Sequence, residues 1–162
     1  MAKRIIRKKI LIVPYVMQTN PVSFKLEPHY VMVKDKQTSE WGFISGGVKK
    51  HESTRQAALR ELHEETSGVM DIPLPLNGYT FVTSYRPPEL LVIDQRRNET
   101  VNSVYTMYIV KCDPTMMTLL AKFHPNSEIC DIRLGEFSSF QHVWSFCEDV
   151  YNNHIKRFVS NA

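Results

Sequence analysis

The stretch of sequence that decides the fold runs from Gly46 to Gly68 and reads GGVKKHESTRQAALRELHEETSG. A glycine pair opens it, and a helix is predicted to follow from Thr54 to Thr66. Ser53 can cap this helix, because Gln56 stands three residues later and completes a capping box, and Gly68 marks the helix end. The pattern therefore predicts a glycine turn and a short helix directly after a strand.

Three acidic residues share one face of this predicted helix. Glu61, Glu64 and Glu65 stand at positions i, i+3 and i+4. The neighbouring face carries Ala58, Leu59 and Leu62, which are expected to pack on a sheet. Like charges at this spacing destabilise an isolated helix by about 0.2–0.5 kcal/mol per pair. Hard divalent cations remove that penalty, because they take carboxylate and phosphate oxygens as ligands. The three glutamates alone nevertheless favour a solvated helix face over a metal site, and the metal site depends on the wider spacing.

In the alternative to a metal site, the glutamates form a solvent-exposed acidic helix face with Arg55 and Arg60 as their partners. The wider spacing disfavours it, since Glu52 follows Gly46 by six residues and the Arg60–Glu61 pair follows eight residues later. A coincidence of so many positions is remote.

The segment Gly46–Gly68 resembles the Nudix box, whose pattern is Gly, five residues, Glu, seven residues, Arg-Glu-apolar-any-Glu-Glu-any-Gly-apolar. The sequence departs from it at Ser67, where the pattern has glycine and Gly68 comes one place late, and at Ser45, where many members have proline. The positions that match are Gly46, Glu52, Arg60, Glu61, Leu62, Glu64 and Glu65.

The resemblance implies a hydrolase that breaks a phosphoanhydride bond with Mg²⁺ or Mn²⁺ as cofactor. By position, the metal ligands are Glu61, Glu64 and Glu65, one of which also takes a proton from the attacking water. Arg60 would orient these glutamates. Glu52 would hold the loop or a second metal.

The resemblance also implies two metal contacts outside these acids. Gly46 would offer its backbone carbonyl to a metal, because a residue without a side chain lets the ion approach. Family members often use a further acid on a loop nearer the carboxyl end. Glu128 is the choice, since it stands just before the last predicted strand, and Glu99 is the alternative.

The substrate is less narrowly specified. Arg86, with Arg96 and Arg97, is a candidate for holding phosphates, or is simply solvated. The candidates for stacking on a base are Trp41, Phe43, Tyr30 and Tyr85, for which core packing is the alternative role.

Capped RNA is the first choice of substrate and partner. The first nine residues, MAKRIIRKK, carry five positive charges, which fits contact with a polyanion, and Trp41–Gly47 is similar to decapping members of the family. The alternatives are free nucleotides, dinucleoside polyphosphates, nucleotide sugars and diphosphoinositol phosphates. A non-catalytic Nudix-fold module that binds nucleotide or RNA is the alternative class, disfavoured because all four box acids are present.

The length of 162 residues fits one domain over 1–162. The fold class is α+β, an α/β/α sandwich with the mixed sheet of the Nudix fold between helices and a long carboxy-terminal helix from Ser139. A short helix is predicted over Asp113–Phe123. The predicted strands are Lys8–Met17, His29–Lys34, Trp41–Ile44, Tyr79–Tyr85, Leu90–Asp94, Val101–Cys112 and Glu128–Leu134.

Composition sets outer bounds. No stretch approaches the roughly 20 apolar residues that span a bilayer, so no membrane contact is expected. Cys112, Cys130 and Cys147 form no CxxC pair and are expected to be reduced, buried thiols of a cytoplasmic protein. A net charge of +3 says little about partners, and the sequence leaves a monomer and a homodimer equally open.

Overall fold

The computed structural model describes residues 1–160, so residues 161–162 of the expected domain lie outside the described part. The strands are β1 (Lys3–Thr19), β2 (Leu26–Asp35), β3 (Trp41–Gly42), β4 (Ile44–Gly47), β5 (Tyr79–Thr83), β6 (Glu99–Lys111) and β7 (Ile129–Gly135). The helices are α1 (Thr54–Glu65), α2 (Pro88–Arg96), α3 (Met116–Leu120), α4 (Ser145–Val150) and α5 (Lys156–Ser160). A π-helical turn, Tyr151–Ile155, joins α4 to α5, and Phe137–Ser139 forms one 3₁₀ turn.

The strands form a seven-stranded mixed sheet around β1, in the order β3-β2-β1-β6-β5. β1 runs parallel to β6, with Lys3 opposite Glu99 and Tyr15 opposite Lys111. On its other side it pairs antiparallel with both β2 and β4, and β7 pairs with β2. The pairing with β4 places Gly46 opposite Ile10, so the glycine turn lies beside the middle of the central strand.

Both faces of the sheet are covered, because side chains along β1 alternate between two cores. Ile10 and Ile12 face the core that α1 covers, and Leu11 and Val13 face the core covered by the carboxy-terminal helix. All four are fully buried. The expected fold class, an α/β/α sandwich with a mixed sheet, is confirmed.

The predicted strand at Leu90–Asp94 is wrong, because these residues lie in α2. The run Leu90-Leu91-Val92-Ile93 has strand-like composition, but Pro87 and Pro88 start a helix there, with Pro88 at its first turn. Only Asp94 of this helix is buried, and Leu91, Val92 and Ile93 are about half exposed. The apolar composition of this run predicts a strand, whereas the two prolines before it signal the start of a helix.

Other boundaries differ at the ends of elements. β1 starts at Lys3 instead of Lys8, because its basic first residues pair with β6. The carboxy-terminal helix starts at Ser145 instead of Ser139, and α3 is limited to Met116–Leu120.

Two expectations from composition can be compared with the fold. Within residues 1–160 no helix has the length and apolar character needed to cross a membrane. The three cysteines are unpaired, but only Cys147 is fully buried, and Cys112 and Cys130 are half-buried.

Candidate active site

The acidic helix α1 sits against the sheet as its pattern predicts. Ser53 accepts a hydrogen bond from the Gln56 backbone at 3.1 Å and its own amide donates to the Gln56 side chain at 2.8 Å, which completes the predicted capping box. Ala58 and Leu62 pack in the core as predicted, whereas the prediction for Leu59 is wrong, because it is 43% exposed. Glu61 and Glu65 lie one turn apart at the edge of the core with exposed fractions of only 8% and 6%. Two carboxylates are therefore held out of water on one helix face.

Arg60 connects the glycine turn to the helix. Its guanidinium donates two hydrogen bonds to Glu52, at 2.8 and 3.0 Å, and one to Glu61 at 2.7 Å. It also donates to Glu64 at 3.3 Å and to the Gly47 carbonyl at 3.0 Å. Bidentate guanidinium–carboxylate pairs fix orientation as well as charge. The arrangement supports the predicted orienting role of Arg60.

Glu52 lies at the start of the segment and holds the loop. Its carboxylate also accepts from the Lys49 backbone at 3.0 Å, and the hydrogen bonds from Arg60 are the largest cause that lowers the pKa of Glu52 to about 2. With its side chain bound to Arg60 and the loop, Glu52 lies outside the carboxylate group described next.

Three carboxylates from two separate parts of the chain lie close together. Oxygen atoms of Glu61, Glu65 and Glu128 all lie within 4.8 Å of one another. Glu128 precedes β7 and comes from a different part of the chain, as expected for the acid outside the box. The alternative acid, Glu99, lies opposite Lys3 at the start of β6 and is not part of this group. Glu64 also lies outside it, with 49% of its side chain exposed.

The electrostatics of this group are unfavourable without a cation. Burial is the largest cause that raises the pKa of Glu65 well above its usual range, and the charges of Glu61 and Glu128 add to it. Burial also raises the pKa of Glu61, although Arg60 opposes that shift. The Glu65 carboxylate accepts a hydrogen bond from the Ser45 amide, which is long at 3.4 Å. Buried, mutually repelling oxygen ligands are the donor set that fits Mg²⁺ or Mn²⁺.

Gly46 is required by the position of Glu61. A Cβ atom at Gly46 would overlap the Glu61 carboxylate, whereas one at Gly47 would meet no atom within 4 Å. The absence of a side chain at position 46 therefore lets the Glu61 side chain lie directly over β4. This contact also leaves the Gly46 backbone beside the carboxylate group.

Replacing Gly46 by alanine should displace the Glu61 carboxylate and lower hydrolysis at least about tenfold. Overpacking costs about 1–3 kcal/mol of stability, and the lower end is expected because the Glu61 side chain can rotate away. The matched control is Gly47→Ala, which has open space. Comparing the turnover and thermal unfolding of both variants checks this. Equal loss of activity in the two would contradict the stated role of Gly46.

A cavity of about 510 Å³ opens beside the carboxylate group, lined by both Glu65 and Glu128. Its aromatic wall is formed by Phe43, Tyr85 and Trp144. The Trp144 indole donates a hydrogen bond to the Tyr85 hydroxyl at 3.1 Å, and their rings meet edge to face with centroids 5.9 Å apart. The cavity therefore joins an acidic floor to a pre-formed aromatic wall.

The other predicted substrate residues lie elsewhere. Tyr30 is 1% exposed and packs edge-on against Phe43 and Tyr151 in the core, and Trp41 packs against Phe140. Neither lines the cavity beside the carboxylates.

Arg86 stands between two lining residues, Tyr85 and Pro87, but does not itself line that cavity. It donates to Asp94 at 2.9 and 3.1 Å and so anchors α2. The Nε and Nη2 atoms of Arg86 donate to Asp94, so the ion pair uses one edge of the guanidinium group.

Sequence reasoning missed several lining residues. Trp144 lies within the helix predicted from Ser139, but the helix starts at Ser145 and Trp144 lines the cavity. Pro87, Pro88 and Glu89 also line the cavity, and they stand just before the wrongly predicted strand at Leu90–Asp94. The proline pair was the sequence feature that could have corrected this.

Comparisons with known proteins identify the family of the chain. The family model described as the NUDIX domain matches residues 23–147. The RNA pyrophosphohydrolase of Shewanella loihica is 29% identical over 125 residues, which cover 75% of this chain and 71% of that relative. The chain belongs to the Nudix family and is a Nudix hydrolase, an enzyme class that acts on diphosphate-containing compounds.

Solved structures share the fold at low sequence identity. An Ap4A hydrolase from C. elegans in a binary complex has a TM-score of 0.59 and 13% identity, covering 96% of this chain and 99% of that one. The NUDIX domain of Shewanella oneidensis NrtR, complexed with ADP ribose, has a TM-score of 0.58 and 12% identity, covering 98% and 90%.

Proposed function

We propose that the protein hydrolyses a phosphoanhydride bond at the 5′ end of RNA, with a divalent cation held by Glu61, Glu65 and Glu128. The observation that carries this proposal is the group of three carboxylates, two of them buried, of which Glu65 and Glu128 line an aromatic-walled cavity. Gly46 would add its carbonyl and Glu64 a further carboxylate from the solvent side. Mg²⁺ or Mn²⁺ bound there lowers the pKa of water and neutralises charge on the diphosphate.

The chain's own residues divide the remaining work. Arg60 restrains Glu61 through a 2.7 Å hydrogen bond, which favours the orientation of that carboxylate toward the group. One of the box glutamates accepts the proton of the attacking water. The aromatic wall excludes water and offers ring faces on which a base can stack. Phe43, from the predicted stacking set, lines this wall together with Tyr85.

The charge pattern supports a substrate whose phosphates extend beyond the cavity. Its charged lining residues are all acidic, namely Asp35, Glu40, Glu65, Glu89 and Glu128. A phosphate chain inside it therefore depends on the cation for neutralisation. Any further phosphates need positive charge from a neighbouring surface.

A basic surface lies next to the carboxylate group. Arg7 and Lys9 share one face of β1, since they stand opposite Ser103 and Tyr105 of β6. Burial is the largest cause that lowers the pKa of Lys9, and the nearby charges of Arg86 and Arg7 lower it further. Arg86 is paired with Asp94. Arg7 and Lys9, in contrast, form no salt bridge within residues 1–160 and so favour binding of a polyanion such as RNA.

Within this proposal, capped RNA is the specific substrate that we favour. The similarity to a protein named RNA pyrophosphohydrolase supports the 5′ end of an RNA as substrate, whether capped or not. The test compares cap-labelled RNA, 5′-triphosphate RNA, dinucleoside polyphosphates, nucleotide sugars and free triphosphates, with products resolved. Cap-labelled RNA should release methylated guanosine diphosphate. If capped RNA stays intact while dinucleoside polyphosphates are cleaved, the protein is not a decapping enzyme. Binding without turnover of any substrate would favour the non-catalytic module.

The basic surface gives a separate prediction. The double variant Arg7→Ala/Lys9→Ala should lower kcat/KM for RNA about tenfold or more and reduce the salt dependence of RNA binding by about one unit of slope per lost phosphate contact. Cleavage of small dinucleotides should change little. Lys122→Ala, an exposed lysine after α3, is the matched control. A uniform loss on all substrates would exclude a specific role in RNA binding.

A further inference from the structure

Ser67 stands where the family pattern has glycine, and its backbone adopts the left-handed conformation that favours glycine, with φ +52. Gly68 follows with φ +75. A non-glycine residue in this region costs about 1–2 kcal/mol unless local hydrogen bonds offset it. The Ser67 hydroxyl donates to the His124 carbonyl at 2.6 Å and so ties the end of α1 to the loop before β7.

Asn126 completes this tie from the loop side. Its amide nitrogen donates to the Glu64 carbonyl at 3.0 Å, the Glu65 carbonyl at 3.3 Å and the Ser67 hydroxyl at 3.0 Å. Two of these acceptors are carbonyls of the last turn of α1, which have no partner within the helix. One side chain thus caps the helix that carries the metal-binding glutamates.

The other end of the same amide fixes the third acid. The Asn126 oxygen accepts from the backbone of Glu128 at 3.0 Å and of Ile129 at 2.9 Å. Ile129 is buried and starts β7, whereas the Glu128 side chain is exposed and the Glu128 carbonyl accepts a hydrogen bond from the Lys36 amide at 2.8 Å. The nitrogen of Asn126 meets only acceptors and its oxygen only donors, so all the hydrogen-bonding capacity of the amide is used in one orientation.

We propose that Asn126 is a positioning residue that sets the distance between Glu128 and the box glutamates, and that Ser67 takes part in this lock in place of the usual glycine. The inference rests on the proposed function of the carboxylate group as a metal site. The bond to Lys36 fixes the Glu128 backbone relative to β2, and a tether between this segment and α1 is needed to fix it relative to Glu61 and Glu65. Asn126 is the side chain that bonds to both.

The test measures Mn²⁺ binding to the metal-free protein by calorimetry, which needs no substrate. Asn126→Ala should weaken Mn²⁺ affinity about tenfold or more, as expected when a partner of a metal ligand is lost. The metal concentration for half-maximal hydrolysis should rise in parallel. Ser127→Ala, in the same exposed loop, is the matched control and should bind as wild type does. Ser67→Ala, a milder change, should shift affinity in the same direction by a smaller factor.

A double-mutant cycle separates positioning from plain stability. In a Glu128→Gln background, Asn126→Ala should cause no further loss of Mn²⁺ affinity, while its effect on thermal unfolding should remain. Unchanged Mn²⁺ affinity in both Asn126→Ala and Ser67→Ala would overturn the inference, and so would equal losses in the two backgrounds. Failure of the proposed function looks different, because wild type and Glu65→Gln would then bind Mn²⁺ equally.

Discussion

Glu65→Gln should abolish hydrolysis while leaving the protein folded. Glu65 contributes a buried carboxylate to the group of three, and an amide at the same position neither carries charge nor replaces a hard anionic ligand. Replacing a partner of a metal ligand costs about 10–100-fold, so replacing the ligand itself should cost more. Turnover is measured at saturating Mg²⁺, with circular dichroism to confirm the fold.

Glu64→Gln should show the same loss of turnover, although the Glu64 carboxylate lies outside the group and accepts a hydrogen bond from Arg60. Glu148→Gln, an exposed acid on α4, serves as control and should retain activity. Near-normal turnover in Glu65→Gln under saturating magnesium would remove the basis of the proposed metal site.

The metal-free protein should lose stability as the pH rises from about 4.5 through neutrality. Folding raises the pKa of Glu65 and of Glu61, mainly through burial, so the folded state binds more protons than the unfolded state above the ordinary glutamate pKa. Their contribution is therefore fully present below that pKa and is lost as the pH rises. Glu52, with its pKa lowered to about 2, acts in the opposite sense and weakens the fold only under acidic conditions.

The comparison with Glu65→Gln isolates this effect. At pH 7 the metal-free variant should be at least as stable as wild type, and the two should converge toward pH 4.5. A cation at 100 times its Kd should stabilise wild type by about 2.7 kcal/mol, roughly 5–10 °C in Tm, and the variant much less. Thermal melts over pH 4.5–8 with and without Mg²⁺ measure both. Parallel pH curves for the two proteins would contradict the assigned cause.

The helix of the box was predictable because its determinants are local. The Ser53–Gln56 capping box fixes the start of α1, and the 3.6-residue repeat places Glu61 and Glu65 on one face without knowledge of the rest of the fold. The same holds for the core alternation of β1, whose apolar residues are contiguous in sequence. In both cases the interacting residues are close along the chain.

The cavity was less predictable because its walls come from distant segments. Tyr85 and Trp144 are 59 residues apart and meet only in the folded protein. Tyr30 and Trp41 are aromatic, as are residues that stack on a base, but β2 and β3 place them in the core. Asn126 belongs to no sequence motif that would identify it. Its role depends on where the loop before β7 contacts the end of α1 in the folded protein.

A crystal soaked with Mn²⁺ and a nucleoside diphosphate, with anomalous scattering recorded, tests the central claim most directly. The account predicts a manganese peak between the carboxylates of Glu61, Glu65 and Glu128 that also contacts a phosphate oxygen. A nucleotide bound in the cavity with no ion between those carboxylates would contradict it.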